Sequence, residues 1–233
     1  MRKSLASLLV SCALFWAGEA FAWAFAVCGD SRGDKDGIFP QILSAVDDSD
    51  MEFLLHTGDF VANGTQAAWE AFRAAYVEWT GESPFRKPLR VVAGNHDVRA
   101  GTRERFAEEF GLPGTNYSFR HRDAHFAIVD NAGGSLSDNT LSWLDRDLAA
   151  HPVGADNISL IVVAMHIAPR TAWITPHGVG RDYTEQSESL LGILKRHRVD
   201  LVLCSHEHMH FEEDWEGIRV IVSGGAGGPP GPP

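Results

Sequence analysis

Short, largely apolar runs broken by polar turns set the rhythm of this chain. Residues 24–28, 51–55, 89–92, 158–165 and 199–204 are more continuous than alternating, the pattern of strands buried on both faces. Helical spacing fills the gaps between them. Pro40, Ile42, Leu43 and Val46 predict a helix with proline in its first turn, closed by the polar stretch 47–50. Trp69, Phe72, Ala75, Tyr76 and Trp79 predict a second helix with an aromatic core face. Further helices are expected near 103–110, across Leu141, Trp143, Leu144 and Leu148, and through Leu190, Leu191 and Leu194. Residues 117–120 and 125–129, around the polar Arg122-Asp123, predict an antiparallel hairpin that begins a second sheet region. A last strand is expected at 219–222, and the irregular stretch 167–182 is long enough to be a functional loop.

Arg2 and Lys3 precede an apolar run, and Ala20-Phe21-Ala22 supplies small residues for cleavage, so residues 1–22 are expected to be a secretory signal. This implies an exported, periplasmic or secreted protein. Leu9-Val10-Ser11-Cys12 offers a lipoprotein alternative, disfavoured because the apolar stretch continues past Cys12. The expected organisation is signal 1–22, one domain over 23–228, and a Pro/Gly tail at 229–233. A formal charge of −11 with 44% hydrophobic residues describes an acidic, well-cored chain, and it argues against a polymeric nucleic acid as partner. No membrane-spanning segment is expected. Cys28 and Cys204 remain after processing and are expected to be buried free thiols of neighbouring strands rather than a disulfide.

Each of the five runs ends in a group able to bind a metal: Asp30, Asp59, Asn95, His166, and the pair His206 and His208. In α/β sheets the carboxyl ends of parallel strands share an edge, so side chains distant in sequence can meet there. The donors are oxygen and imidazole, which suits zinc, manganese or iron. Six groups exceed one tetrahedral shell, and a carboxylate shared between two ions accommodates them.

In order, Gly29-Asp30-Ser31-Arg32, Gly58-Asp59, Gly94-Asn95-His96-Asp97, His166 and Ser205-His206-Glu207-His208 resemble the signature of the calcineurin-like metallophosphoesterases, which include the purple acid phosphatases. The resemblance implies a four-layer α/β/β/α sandwich and two divalent or trivalent metal ions (Mn, Fe or Zn). It assigns Asp30, Asp59 and His208 to one ion and Asn95, His166 and His206 to the other, with Asp59 bridging. His96 would stand near the leaving oxygen, and Asp97 would orient it. The implied activity is hydrolysis of a small-molecule phosphate mono- or diester by direct attack of metal-bound hydroxide, without a covalent enzyme intermediate.

Two positions depart from that signature. Arg32 stands where the family has a histidine ligand; it cannot bind a metal and is expected to clamp a substrate phosphate, with Asp34 or water as possible replacement ligands. Ser205 stands where glycine is usual. The alternative function is a catalytically weakened module that binds a phosphate-containing ligand or a partner protein. Among other candidates, His56 is expected to be a hydrogen-bonded core histidine and His210 a peripheral residue. Arg170, His177, Arg181 and Tyr183 could reach substrate from the long loop, and Gly224–Gly228 is expected to pack closely beside the site.

Overall fold

The computed structural model describes residues 23–34, 37–80, 85–100, 102–168, 170, 174–175, 178–179 and 186–228. The expected signal peptide, the tail beyond 228, His177, Arg181 and Tyr183 lie outside them. Strands β1 (Ala26–Cys28), β2 (Leu54–His56) and β3 (Leu89–Val91) form a parallel three-stranded sheet in sequential order. The second sheet takes β4 (Tyr117–His121), β5 (Ala124–Ile128), β6 (Leu160–Ile167), β9 (Leu201–Ser205), β10 (His210–Trp215) and β11 (Ile218–Ser223) in the order β10-β11-β9-β6-β5-β4. Its four inner strands run parallel, and β4 and β10 close its edges antiparallel. Between β6 and β9 lie two short paired strands, β7 (Ile174–Thr175) and β8 (Gly178–Val179), in the stretch expected to be irregular.

The continuous apolar runs divide with period two, and that division builds the layers. Phe53, Leu55 and Val92 of the first sheet meet Phe126, Ile128, Val162, Ala164 and Leu203 of the second in one buried cluster between the sheets. Leu54 and Val91 face outward, onto Phe39, Leu43 and Val46 of α1 (Ile38–Asp47), Trp69 and Phe72 of α2 (Gln66–Thr80) and Phe106 of α4 (Arg103–Glu109). Ile161, Val163, Val202 and Val220 likewise cover Leu141, Leu144 and Leu148 of α5 (Asp138–Ala150) and Leu190 and Leu194 of α6 (Ser187–Arg196). A helix layer therefore lies outside each sheet, giving the expected α/β/β/α sandwich. No helix among the described residues is long and apolar enough to cross a membrane.

The structure adds to or corrects the sequence pattern at three points. Gly94-Asn95-His96-Asp97 opens a short helix: Gly94 is an extended N-cap and α3 (Asn95–Val98) is a single helical turn. His166 lies inside β6 rather than beyond its end, at a register shift between Ala164 and Ile167. Strand β10 was not expected, because its His-Phe-Glu-Glu-Asp-Trp sequence buries only Phe211 and Trp215, as befits a polar edge strand. The cysteines are buried free thiols as expected but not on neighbouring strands: they sit on the outward faces of different sheets, Cys28 under α1 and α2 and Cys204 under α5 and α6.

Candidate metal centre

The loops after β1 and β2 are bonded to each other before any side chain is considered. Asp30 N–H donates to Gly58 O at 2.9 Å, Arg32 N–H to Asp59 O at 2.8 Å and Gly33 N–H to Phe60 O at 2.8 Å. Asp30, Arg32, Asp59, His206 and His208 all have positive φ, between 47° and 71°. Left-handed backbone at a non-glycine residue costs about 1–3 kcal/mol, and such strain concentrates where function fixes the side chain. Gly94 is required by contact: a Cβ there would lie 2.1 Å from Asp59 N. The Gly224–Gly228 segment packs as expected, since a Cβ on Gly224 would lie 2.5 Å from Asp30 Oδ2 and one on Gly228 2.5 Å from Asp30 O.

All six expected ligands converge on this edge. Asn95 Oδ1 is 2.9 Å from His166 Nε2 and 3.0 Å from His206 Nδ1, and the two ring nitrogens are 3.3 Å apart. Asp59 Oδ1 stands 3.4 Å from His166 Nε2. Beside this group, Asp30, Asp59 and His208 bring one ligand atom each to within 4.8 Å of one another. Asp59 thus belongs to both groups.

The donor balance at this place calls for a cation. His166 Nδ1 faces the Thr57 carbonyl at 2.8 Å, which can only accept, so Nδ1 donates and Nε2 is the atom turned toward the carbonyl oxygen of Asn95. A cation beside Nε2 and Oδ1 would take both as ligands. Asp30 Oδ1 is buried without a hydrogen-bond partner among the described residues, and His208 Nε2 is 3.5 Å from it. A divalent ion satisfies both groups, and no thiolate is needed. His125, Asp147 and His151 form a second cluster of ligand atoms, but there the partners are complementary. Asp147 Oδ2 faces His125 at 2.7 Å, Oδ1 accepts from Ser118 at 2.6 Å, and His151 Nδ1 faces Asp147 O at 2.8 Å. That cluster is satisfied without a cation.

Asp97 does something other than orient the His96 ring. Its carboxylate accepts from Gly94 and Asp59 on Oδ2, at 2.9 and 2.8 Å, and from Phe60 and Val61 on Oδ1, at 2.8 and 3.2 Å. It ties the turn of α3 to the loop after β2. Burial and the charge of Asp59 push this carboxyl up, and the backbone donors oppose them. The His96 ring is held by the Ala62 carbonyl, 2.6 Å from Nδ1, and its backbone N–H donates to Asp59 Oδ1 at 2.8 Å. Burial moves the His96 pKa below its ordinary value.

Arg32 reaches the same ring, with Nη2 2.8 Å from His96 Nε2 and 3.0 Å from Nδ1. Asp34 is not brought to the metal group; its carboxylate accepts from Phe39 N–H at 2.6 Å, at the start of α1. His56 is fully buried against Ser31 Oγ at 3.0 Å and stacked on Phe60, with its pKa lowered to about 3 by burial and by His166. His210 is exposed. Arg170 approaches Glu188 and Glu216, at 3.6 and 4.0 Å.

Two supporting residues escape sequence reasoning. Asn131 Oδ1 accepts from the backbone of His166 and Ile167, at 3.1 Å each, and its Nδ2 donates to Ile167 O at 2.5 Å, which secures the irregularity in β6. The signal was available: Asp130-Asn131 ends the apolar run 125–129 as the expected ligands end theirs. Ser205 is more than a tolerated replacement for glycine, since its hydroxyl donates to Thr57 O at 2.7 Å and lies 3.0 Å from His166 Nδ1.

With this geometry, the sequence model of the family described as "Calcineurin-like phosphoesterase" matches residues 24–210. The chain belongs to the calcineurin-like phosphoesterase family. Among curated proteins it is similar to the 3',5'-cyclic adenosine monophosphate phosphodiesterase CpdA of Escherichia coli (strain K12), with 25% identity over 193 residues. That match covers 79% of the chain but 65% of the relative, so the chain spans just under two thirds of the relative's length. Among solved structures, a dimetal phosphatase from Danio rerio aligns with a TM-score of 0.65 and 13% identity, covering 89% of each chain. The purple acid phosphatase PPD1 from yellow lupin aligns at 0.69 and 15%, covering 90% of this chain and 45% of that one. Both share the sandwich that the calcineurin-like chain builds from its two sheets.

Proposed function

We propose that this chain is a metal-dependent phosphoesterase acting on a small-molecule phosphate mono- or diester. The observation that carries the reading is the convergence of ligand-type atoms on Asn95, His166, His206 and Asp59, beside the Asp30–Asp59–His208 group. Asp30, Asp59 and His208 would hold one cation and Asn95, His166 and His206 the other, with Asp59 shared; the donors suit Mn, Fe or Zn. The chemistry such ions supply when bound is a lowered pKa for water and neutralisation of phosphoryl charge.

The chain's own residues supply the rest. Asp97 keeps the two ligand-bearing loops in register, and Asn131 and Ser205 fix the direction of His166. His96, held at Nδ1 by Ala62, would stand near the leaving oxygen as proton donor once Nε2 gains a proton in place of its bond from Arg32. The buried thiols take no part, because burial pushes both Cys28 and Cys204 far up from their ordinary range. The cyclic-nucleotide substrate for which the Escherichia coli relative is named brings a phosphodiester into the range to be tested.

Purified protein with added manganese should hydrolyse an aryl phosphate or a bis-aryl diester, and Asp59→Asn should abolish that activity. Wild-type protein that holds less than one metal per chain and hydrolyses neither ester would sink the proposal, leaving a module that binds a phosphate-containing ligand or partner. We propose export as well, on the pattern of residues 1–22. Trp23 directly follows the expected cleavage point and is anchored, its indole N–H donating to Asp123 at 2.7 Å. Amino-terminal sequencing of protein from cell fractions should read from Trp23; a retained Met1 in cytoplasmic material would refute it.

A further inference from the structure

We infer that Arg32 contacts the substrate phosphate and makes this centre prefer monoesters to diesters. The inference deepens the phosphoesterase reading and rests on it. Arg32 is not a loosely placed surface residue. Its left-handed backbone, with φ of 47°, is bonded through N–H to Asp59 O at 2.8 Å, so the side chain leaves from a fixed point between Asp30 and the loop of Asp59. Gly228 gives it room: a Cβ there would lie 3.2 Å from Arg32 Cδ. At its far end Nη2 reaches His96 Nε2 at 2.8 Å. Because His96 Nδ1 faces the Ala62 carbonyl and donates to it, Nε2 is the acceptor and Arg32 the donor.

The guanidinium is left incompletely used. Its Nε is buried with no hydrogen-bond partner among the described residues, and Arg32 forms no ion pair among them. Arginines elsewhere in this protein find carboxylates: Arg103 pairs with Asp130 at 2.5 Å and Arg122 with Glu52 at 2.8 Å. Arg32 instead brings a full, permanent charge to the His96 ring beside Asp59. A buried N–H without an acceptor is costly, so the arrangement makes sense when an acceptor arrives. Nε–H and Nη2–H lie along one edge of the planar guanidinium, the edge that grips two oxygens of an oxyanion at once when Nη2 exchanges its bond to His96 for one to a phosphoryl oxygen.

The charge and the edge together choose between ester classes. A phosphate monoester near neutral pH carries close to two negative charges on three non-bridging oxygens, whereas a diester carries one charge on two. A fixed cation that can turn this edge to a phosphoryl group, added to a centre that would receive phosphoryl oxygens, is matched to the extra charge and the extra oxygen of the monoester. Hydrolysis adds water across the P–O bond: the new P–O bond forms from water oxygen, the ester P–O bond breaks, and one water proton ends on the departing alcohol. Arg32 does not exchange a proton in that balance; it holds the phosphoryl group.

The test uses the purified full chain with manganese, an aryl phosphate, a bis-aryl phosphate and inorganic phosphate as competitor. Wild-type kcat/KM should favour the monoester by about tenfold or more. Arg32→Ala should lower monoester kcat/KM by about 10–100-fold, mainly through KM, weaken phosphate inhibition by about tenfold, and leave diester turnover within about threefold. Bound metal, measured by elemental analysis, should be unchanged. Arg32→Lys keeps the charge without the two-point edge and should fall between the two. A wild-type preference for the diester, or equal losses on both esters, would overturn the Arg32 inference while leaving the phosphoesterase reading intact. Wild-type protein inactive on both esters removes that reading and the inference with it. If Arg32→Ala fails to fold by circular dichroism, the wild-type ester ratio and the Lys variant decide.

Discussion

Asn131 shows how a residue that binds nothing directly can still set the chemistry. It accepts two backbone N–H groups at the irregular point of β6 and returns one bond to Ile167 O, so the direction of the His166 ring depends on it. Replacement by alanine leaves two buried donors without their acceptor, a cost of about 1–3 kcal/mol for each unsatisfied group. Asn131→Ala should therefore lower the urea midpoint, and it should weaken metal binding by about 10–100-fold, the scale seen when an outer support of a ligand is removed. Calorimetric titration with manganese checks the second effect separately from the first. Asp97 teaches the same point from the other side. Its adjacency to His96 invites the reading of a carboxylate that orients an imidazole, yet its oxygens are occupied by four backbone donors. The residue type was informative, but its partners were decided by the path of the chain.

At the scale of elements, β5 and α5 are joined by polar contacts as well as by their apolar faces. Burial alone would raise the Asp147 carboxyl; the bonds from His125 and Ser118 outweigh it and hold the group below its ordinary value. A carboxyl depressed in the folded state stabilises the fold fully above its unfolded pKa of about 4, and that contribution is lost as pH falls through the lower folded value. The wild type should thus be more heat-stable than Asp147→Asn at pH 7, with the gap closing below about pH 4. Melting temperatures of both proteins between pH 7 and pH 2.5 test this; a gap that widens on acidification would show that the carboxylate is not the stabilising form. The helices themselves were legible because their apolar positions repeat at helical spacing, as Leu141, Leu144 and Leu148 do, and all three are buried. Strand β10 was not, since an edge strand with the acidic run Glu212-Glu213-Asp214 carries little apolar signal.

For the whole molecule, the candidate centre is also a joint between the two sheets. Asp30, Asp59 and Asn95 follow strands of the three-stranded sheet, while His166, His206 and His208 belong to or follow strands of the six-stranded one. A cation held by both sets binds the folded state and has no comparable site in the unfolded chain. Free metal at 100 to 1,000 times its dissociation constant should add about 2.7–4.1 kcal/mol of stability. A chelator should consequently lower the melting temperature by several degrees, and manganese should restore it. Unchanged melting after metal removal, confirmed by elemental analysis, would count against a centre shared by the two sheets.

The sequence by itself determined the class of fold and the identities of the groups that gather at its edge. Five apolar runs ending in Asp, Asn and His residues are readable because strand burial and ligand chemistry are local properties of residue type and spacing. Only the tertiary structure decided which atoms face which. The approach of His166 to Asn95, the grip of Asn131 on β6 and the reach of Arg32 to His96 arise from contacts between residues tens to more than a hundred positions apart. Those contacts depend on how two sheets pack and where their loops cross, and local spacing along the chain does not encode either.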